Sequence, residues 1–396
     1  MIKKVFFFIF FFIILGSACL QFYISFESIA NFVSLLSKVV FLFSLIYYTS
    51  FCLRYKHKIF NLFDLLVISF YGFLMYSSIR SSGDYVFVFP SLMKVLTIKF
   101  LMEPSIFKGH LKYIYGLIAS SFYLLIVLNF LQMIIAPGIM GYIDEDEAFL
   151  ISSNYNQFGG IFMPAILAAI LYGTYSRNRL FTITLILLCF VSVLIPGSVT
   201  SCVTIFVLGV SYIFFQGYRK LKLANYAILF STVIFFLIYV IPVLGIDINN
   251  VISTITDKLD KDMTFNGRAF IWLNSLVMIA ENPIWGYGLY DRDWGAMNLS
   301  GANAHNIILN LLLQGGVVLI SVFLLMIIKV GINMVRLKFN SRIYYTIMLI
   351  SSSLLLMSQF EVYNYVFIII FLYLIWFFSN SRCIQMENNL DHLKSI

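Results

Sequence analysis

The feature that most constrains this chain is a succession of long apolar runs separated by short polar connections. Of its 396 residues, 61% are apolar and only 11% are charged, against about 25% charged residues in a soluble globular protein. A soluble fold of this composition would leave large apolar patches in contact with water. The composition therefore excludes a soluble enzyme and predicts an all-α polytopic membrane protein.

Apolar runs of spanning length occur twelve times along the chain, since a membrane crossing needs about 20 residues. They predict about twelve transmembrane helices, at residues 5–22, 29–53, 59–79, 85–102, 112–136, 156–175, 180–196, 199–217, 223–244, 304–335, 342–359 and 361–379. The tenth run is too long for one straight crossing. We expect Gly315–Gly316 to divide it into a short interfacial helix and a true span.

Lysine and arginine residues alternate between the two sides of this predicted topology. The N-terminus, the even-numbered connections and the C-terminal tail are basic, whereas most odd-numbered connections carry no Lys or Arg. Since basic loops stay in the cytoplasm, both termini are predicted to be cytoplasmic and the protein to be a multi-pass protein of the cytoplasmic (inner) membrane. The net charge of +8 then faces anionic lipid, and it requires no nucleic-acid partner.

One connection, residues 245–303, is far longer than the others and is predicted to be external. Loops of this length are usually functional. We therefore divide the chain into transmembrane helices 1–9 (1–244), an external catalytic loop (245–303), helices 10–12 (304–379) and a cytoplasmic tail (380–396).

His305 and Arg268 are the candidate catalytic residues on the external side. The other three histidines, His57, His110 and His392, fall on predicted cytoplasmic segments. An imidazole exchanges protons near neutral pH, which suits a general base; the alternative is a histidine that only anchors an interfacial helix. The planar guanidinium of Arg268 suits pyrophosphate oxygens, and its alternative role is contact with lipid headgroups.

Other cations could bind an anionic substrate on the same side. Lys38 and Lys94 lie inside predicted spans, where charge is costly and indicates function by default; the alternative is snorkelling toward the headgroups. Arg80 and Arg292 lie in predicted external connections. Either pair of residues is a candidate for binding pyrophosphate.

No metal or cofactor site is predicted. Three Asp-x-Asp triplets occur, at Asp144–Asp146, Asp260–Asp262 and Asp291–Asp293. Such triplets bind divalent metal in many sugar transferases, but they also arise by chance in acidic loops. The five cysteines form no CxxC pair and no metal-ligand spacing.

The stretch from Arg268 to Gly316 resembles the O-antigen polymerase/ligase family of bacterial envelope glycosyltransferases. The family pattern is Arg, Trp four residues later, Asn-Pro-x-x-Gly-x-Gly, Ala-His-Asn and a Gly about ten residues further on. Here the pattern is matched by Arg268, Trp272, Asn282, Pro283, Gly286, Gly288, Ala304, His305, Asn306 and Gly316. A weaker match lies at Asn154–Gly159, where Tyr155 replaces the family proline, and Ser198–Ser201 lacks the arginine of many relatives.

The resemblance implies a GT-C-like helical protein that transfers a glycan from undecaprenyl pyrophosphate to an acceptor hydroxyl in one inverting, metal-independent step. It implies catalytic roles for His305 and Arg268 and structural roles for Trp272, Pro283, Gly286, Gly288 and Gly316. Substrate contacts are expected from Arg80, Arg292, Lys94, Lys38, Asn306 and Asn156. The implied partners are the lipid-linked glycan, membrane lipids, a chain-length regulator and a flippase.

Polymerisation of lipid-linked repeat units into capsular, O-antigen or exopolysaccharide chains is the favoured activity. A ligase of the same family transfers the glycan to a different acceptor and fits the same pattern. A flippase for lipid-linked glycan is an alternative of another class, although this chain shows no internal repeat. A metal-dependent lipid-linked sugar transferase is less favoured, because the predicted first external loop is short and carries only Glu27 as a charged residue.

Overall fold

The computed structural model describes residues 2–19, 27–136, 142–143, 146–147, 149–152, 154–215, 217–243, 264–335 and 342–394. These residues are almost entirely helical. The α-helices are α1 (Ile2–Cys19), α2 (Glu27–Tyr55), α3 (Leu62–Arg80), α4 (Val88–Phe107), α5 (Leu111–Ile135), α6 (Phe158–Ser176), α7 (Arg179–Leu194), α8 (Val199–Phe214), α9 (Tyr218–Val243), α10 (Thr264–Glu281), α11 (Arg292–Leu299), α12 (Ile307–Val335), α13 (Arg342–Met357) and α14 (Tyr365–Lys394). A 3-10 turn at Tyr155–Gln157 precedes α6, and Tyr142–Ile143 pairs antiparallel with Asp146–Glu147.

Five of the described helices contain segments long and apolar enough to cross a membrane: Asn31–Tyr55, Leu62–Arg80, Leu111–Ile135, Tyr155–Ser176 and Ile307–Val335. Further apolar helices are shorter. This pattern supports a multi-pass membrane protein. The twelve predicted runs coincide with α1–α9 and α12–α14, but the number of crossings and their orientation stay predictions.

Two helices occupy the centre of the bundle. In α6, every residue from Phe158 to Leu171 is buried, and in α14 so is every residue from Tyr365 to Phe378. A helix that is apolar and buried on all sides belongs to the interior of a protein. The remaining long helices pack around this pair, with α5 beside α6 and α4 and α12 beside α14.

The break predicted in the tenth apolar run is confirmed. Gly316 adopts φ 59° and ψ −157°, so the intrahelical ladder of α12 is interrupted there. The last span, predicted from residue 361, begins as helix α14 at Tyr365, where the Asn364 side chain accepts a hydrogen bond from the Val366 backbone N–H at 3.0 Å. Residues 358–364 therefore form a connection outside the helices.

The described part of the long loop is folded and has its own small core. Helices α10 and α11 bury Ile271, Trp272 and Leu299 against Ala304, Leu313 and Phe360. Helix α10 also packs against α12. The first part of the predicted loop, up to residue 263, lies outside the described residues.

Contacts between distant connections gather them at one end of the bundle, which we call the His305 end. The 81–84 connection reaches the loop, since the Asp84 N–H donates to Leu289 O at 2.8 Å. At the same end, the Ser198 hydroxyl lies 3.4 Å from Asn156 Oδ1. This arrangement brings together the connections that the charge pattern places on one side.

At the opposite end, Lys99 is completely buried within an ionic cluster that sequence analysis did not single out. Its ammonium lies 3.2 Å from Asp64 Oδ2 and 3.1 Å from Glu103 Oε2, and it donates to the Tyr48 hydroxyl at 2.7 Å. The Tyr373 hydroxyl donates to Asp64 Oδ1 at 2.8 Å. Because buried charges require partners, this cluster ties α2, α3, α4 and α14 together.

Candidate functional site

The backbone around His305 is held in an unusual conformation by three neighbours. His305 has a φ of 45°, which is uncommon for a residue other than glycine. Its N–H donates to Asn303 Oδ1 at 2.7 Å, and the preceding carbonyl, Ala304 O, accepts from Trp272 Nε1 at 2.8 Å. Asn306 then caps α12, because its Oδ1 accepts from the backbone N–H groups of Ile308 and Leu309 at 2.9 and 3.2 Å. Trp272 and Asn306 thus position the histidine.

Glu361 faces the imidazole from the connection between α13 and α14. Its Oε2 lies 3.5 Å from His305 Nδ1, and its side chain is 7% exposed against 25% for His305. Nδ1 is buried and makes no hydrogen bond within the described part of the chain, so its approach to the carboxylate is a contact at 3.5 Å rather than a hydrogen bond. This geometry directs Nδ1 toward a buried carboxylate and leaves the rest of the ring toward the surface.

Tyr363, two residues after Glu361, lies next to the end of the Asn154–Gly159 motif. Burial and the Glu361 carboxylate raise the pKa of Tyr363 well above its usual value, while a hydrogen bond with Ser201 and the charge of Arg268 oppose the rise. The tyrosine ring packs against Gly160, where an added Cβ would lie 2.7 Å from Tyr363 Cδ1. Arg268, Glu361 and Tyr363 therefore belong to one electrostatic neighbourhood.

The Asn154–Gly159 motif and the 198–201 segment border the same neighbourhood. Asn154 Oδ1 accepts from the Asn156 N–H at 2.8 Å and orders the 3-10 turn. The Asn156 side chain in turn accepts from the Ser198 hydroxyl at 3.4 Å. The weaker family match at 154–159 thus meets the 198–201 segment, which departs from the family pattern, although the two are far apart in sequence.

The 282–288 turn has a structural role that matches its glycines. Gly286 and Gly288 have φ values of 63° and 75°. The N–H groups of Tyr287 and Gly288 donate to Leu313 O and Gln314 O at 2.6 and 2.8 Å, and Pro283 O accepts from the Val317 N–H at 2.8 Å. The turn therefore satisfies backbone groups on both sides of the break in α12. Since these two N–H groups are already bonded, they are not available to a phosphate.

The other predicted cations occupy different environments. Arg80 and Arg292 are exposed at the His305 end, beside the connections that they flank. Lys94 is 5% exposed and donates to Ser17 O at 3.0 Å, inside the packing of α1 against α4. Lys38 is exposed on α2. Their binding roles stay predictions.

The acidic triplets form no metal site in the part of the chain that the structure describes. Within the described residues, no three His, Cys, Asp or Glu side chains are placed so that they could hold a metal ion together. Asp291 caps α11, because its Oδ1 accepts from the Trp294 N–H at 2.8 Å. Asp144, Asp260 and Asp262 lie outside the described residues, and the Asp146 side chain is likewise not described.

Sequence analysis missed Glu361 and Tyr363. Neither belongs to the motif, and both lie in a short connection between apolar runs. An acidic residue at the edge of an apolar run is itself a signal, because charge at membrane depth indicates function by default. Applying that rule to Glu361, as to Lys38 and Lys94, would have identified it.

Comparison with known proteins supports the resemblance. Residues 162–324 match the family model described as O-antigen ligase. The matched range contains Arg268, Trp272, the 282–288 turn, His305 and Gly316. No curated protein sequence matches the chain significantly.

Proposed function

We propose that this chain, which matches the family model described as O-antigen ligase over residues 162–324, polymerises undecaprenyl-pyrophosphate-linked oligosaccharide repeat units at the outer face of the cytoplasmic membrane. The observation that carries the proposal is the approach of His305 Nδ1 to the buried Glu361 carboxylate at 3.5 Å, in a connection where the charge of Arg268 acts on Tyr363. These residues supply a proton acceptor, a group that orients it and a cation. A glycosyl transfer from a pyrophosphate needs these three functions.

His305 is the proposed base for the acceptor hydroxyl. Nδ1 lies 3.5 Å from Glu361, and a small shortening of this distance on substrate binding lets the carboxylate accept the Nδ1 hydrogen while Nε2 keeps its lone pair, as in other His–carboxylate pairs. Nε2 takes the hydroxyl proton while the acceptor oxygen forms a bond to the anomeric carbon. The tautomer is inferred from this geometry.

Arg268 is the proposed cation for the leaving group. The bond between the anomeric carbon and the pyrophosphate oxygen breaks, and undecaprenyl pyrophosphate leaves with the electron pair. Fixed cations stabilise the charge that develops on it, and the guanidinium fork suits two phosphate oxygens. Attack from the opposite face inverts the anomeric configuration, and the step as written needs no metal.

The test compares His305→Ala with His110→Ala in cells that lack the native chain. His110 is an exposed histidine whose side chain makes no capping hydrogen bond to α5, so it is a matched control. We expect His305→Ala to abolish polymer while single lipid-linked repeat units accumulate, because loss of a positioned base typically costs about 10²- to 10⁴-fold in rate. Near-normal polymer from His305→Ala at normal expression would refute the assigned role. An unchanged ladder from both His305→Ala and Arg268→Ala would favour a flippase.

Ligation is the second candidate, and the description of the matching family model favours it. A ligase uses the same donor and chemistry but transfers the finished glycan to a different acceptor. Purified protein with lipid-linked repeat units as the only glycan distinguishes the two activities. A ladder of longer lipid-linked products supports polymerisation, whereas transfer that requires an added second acceptor supports ligation.

A further inference from the structure

A second feature at the His305 end is a surface cleft of about 330 Å³. One side is formed by residues 81–84, and the other by Tyr287, Tyr290, Asp291 and Trp294. Ligand pockets begin at about 300 Å³, so the cleft has room for a small ligand. We call it the aromatic cleft.

Three aromatic rings in the cleft are held rigidly. The Trp294 ring centroid lies 5.2 Å from that of Tyr287 and 4.6 Å from that of Tyr290. The Tyr287 hydroxyl donates to Met278 O at 3.0 Å and the Tyr290 hydroxyl to Asn310 Oδ1 at 2.6 Å. Because both hydroxyls are bonded to the protein, the tyrosines line the cleft with ring surface in fixed positions.

The rest of the lining is polar and carries negative charge. Ser81 and Ser82 contribute hydroxyl groups, and Asp84 and Asp291 contribute carboxylates. Two carboxylates repel a pyrophosphate, whereas they accept hydrogen bonds from hydroxyl groups. A pyranose ring combines a face of C–H groups with a rim of hydroxyls, and this combination complements aromatic surface flanked by hydrogen-bond acceptors.

The aromatic cleft adjoins the candidate site through Tyr290. The Tyr290 hydroxyl donates to Asn310 Oδ1 at 2.6 Å in the first turn of α12, which begins two residues after His305. Just before His305, the carbonyl of Ala304 accepts a hydrogen bond from Trp272 Nε1 at 2.8 Å. Tyr290 therefore connects the cleft lining to the start of the helix that follows His305.

We propose that the aromatic cleft binds a hydroxyl-rich, uncharged sugar of the acceptor glycan and so presents the acceptor to His305. This inference rests on the proposed function, because it assumes that a glycan acceptor is attacked at that histidine. The acidic lining assigns the cleft to the sugar portion of the acceptor, and the pyrophosphate binds elsewhere.

The test measures binding of the repeat-unit oligosaccharide, released from its lipid by mild acid, to the full chain in nanodiscs by saturation-transfer NMR. Trp294→Ala is compared with Met297→Ala, a variant on the same helix whose side chain is 80% exposed and outside the cleft lining. Asp291→Asn removes a charge and keeps the oxygen that caps α11. Gel filtration confirms that each variant stays folded and monodisperse.

We expect Trp294→Ala to weaken binding at least tenfold, Met297→Ala to leave it unchanged and His305→Ala to keep binding while polymer is lost. Equal affinity in the Trp294→Ala and Met297→Ala variants, or no binding to the native chain, would overturn the inference. If the native chain binds the oligosaccharide through Trp294 but makes no polymer, the proposed function is refuted while the sugar site is still supported.

Discussion

Replacing Gly316 with alanine tests whether the break in α12 is required for the fold. At φ 59° and ψ −157°, the backbone occupies a region open essentially to glycine alone, and forcing another residue there costs about 1–3 kcal/mol. The new Cβ would also collide with the Ile284 backbone and lie 2.5 Å from Pro283 O. Crowding of this kind costs about 1–3 kcal/mol more.

The net expected loss is about 1–5.5 kcal/mol, because replacing glycine restricts the unfolded chain and returns about 0.4–1 kcal/mol. Gly331→Ala is the matched control. It lies in the same helix, and a Cβ there meets nothing within 4 Å, so we expect a gain of about 0.5–1 kcal/mol.

The assay is unfolding of the purified full chain by SDS in mixed micelles, followed by the fluorescence of its four tryptophans. We expect Gly316→Ala to unfold at a lower SDS fraction than the native chain and Gly331→Ala at the same fraction or a higher one. Equal unfolding free energies for the two variants would refute the argument, since both differ from the native chain by the same methyl group.

The remaining predictions concern the candidate site. Arg268→Lys is expected to lower turnover nearly as far as Arg268→Ala, because lysine keeps the charge and loses the bidentate fork; normal turnover in a rate assay would indicate a headgroup contact. Glu361→Gln is expected to lower kcat by about 10²- to 10⁴-fold with little change in KM, since the amide keeps the shape and loses the charge that orients the imidazole. An unaltered kcat would remove Glu361 from the mechanism. Activity is expected to survive EDTA, and loss that Mg²⁺ or Mn²⁺ restores would implicate the acidic triplets.

The positions of the helices were largely predictable because membrane solvation acts on each segment separately. An apolar run must form a helix to satisfy its own backbone, so run and helix coincide within a few residues, as for the predicted 199–217 and the observed Val199–Phe214. The break at Gly316 was predictable for a related reason, since the run was too long for one crossing. Each of these conclusions needs only local sequence.

The partners within the site were not predictable in this way. His305 and Glu361 are 56 positions apart in sequence and meet because the 358–364 connection lies against the start of α12, where the Ile307 N–H donates to Ser358 O at 2.9 Å. The motif identified His305 and Arg268 by their spacing, but spacing carries no information about which carboxylate faces an imidazole. The folded loop core around Trp272 was missed because helices α10 and α11 are short and only partly apolar.

The Lys99 cluster has a consequence for biogenesis. Asp64 and Tyr373 are 309 residues apart, so α3 and α4 are synthesised long before α14 can complete the cluster. Until then Lys99 already pairs with both acids, but Asp64 lacks the hydrogen bond from Tyr373, and a hydrogen bond to a charged group contributes about 1.5–3 kcal/mol. A chain that stops before Tyr373 therefore presents incompletely satisfied charge within the membrane. The last hydrogen bond of the cluster therefore forms only after nearly the whole chain has been synthesised.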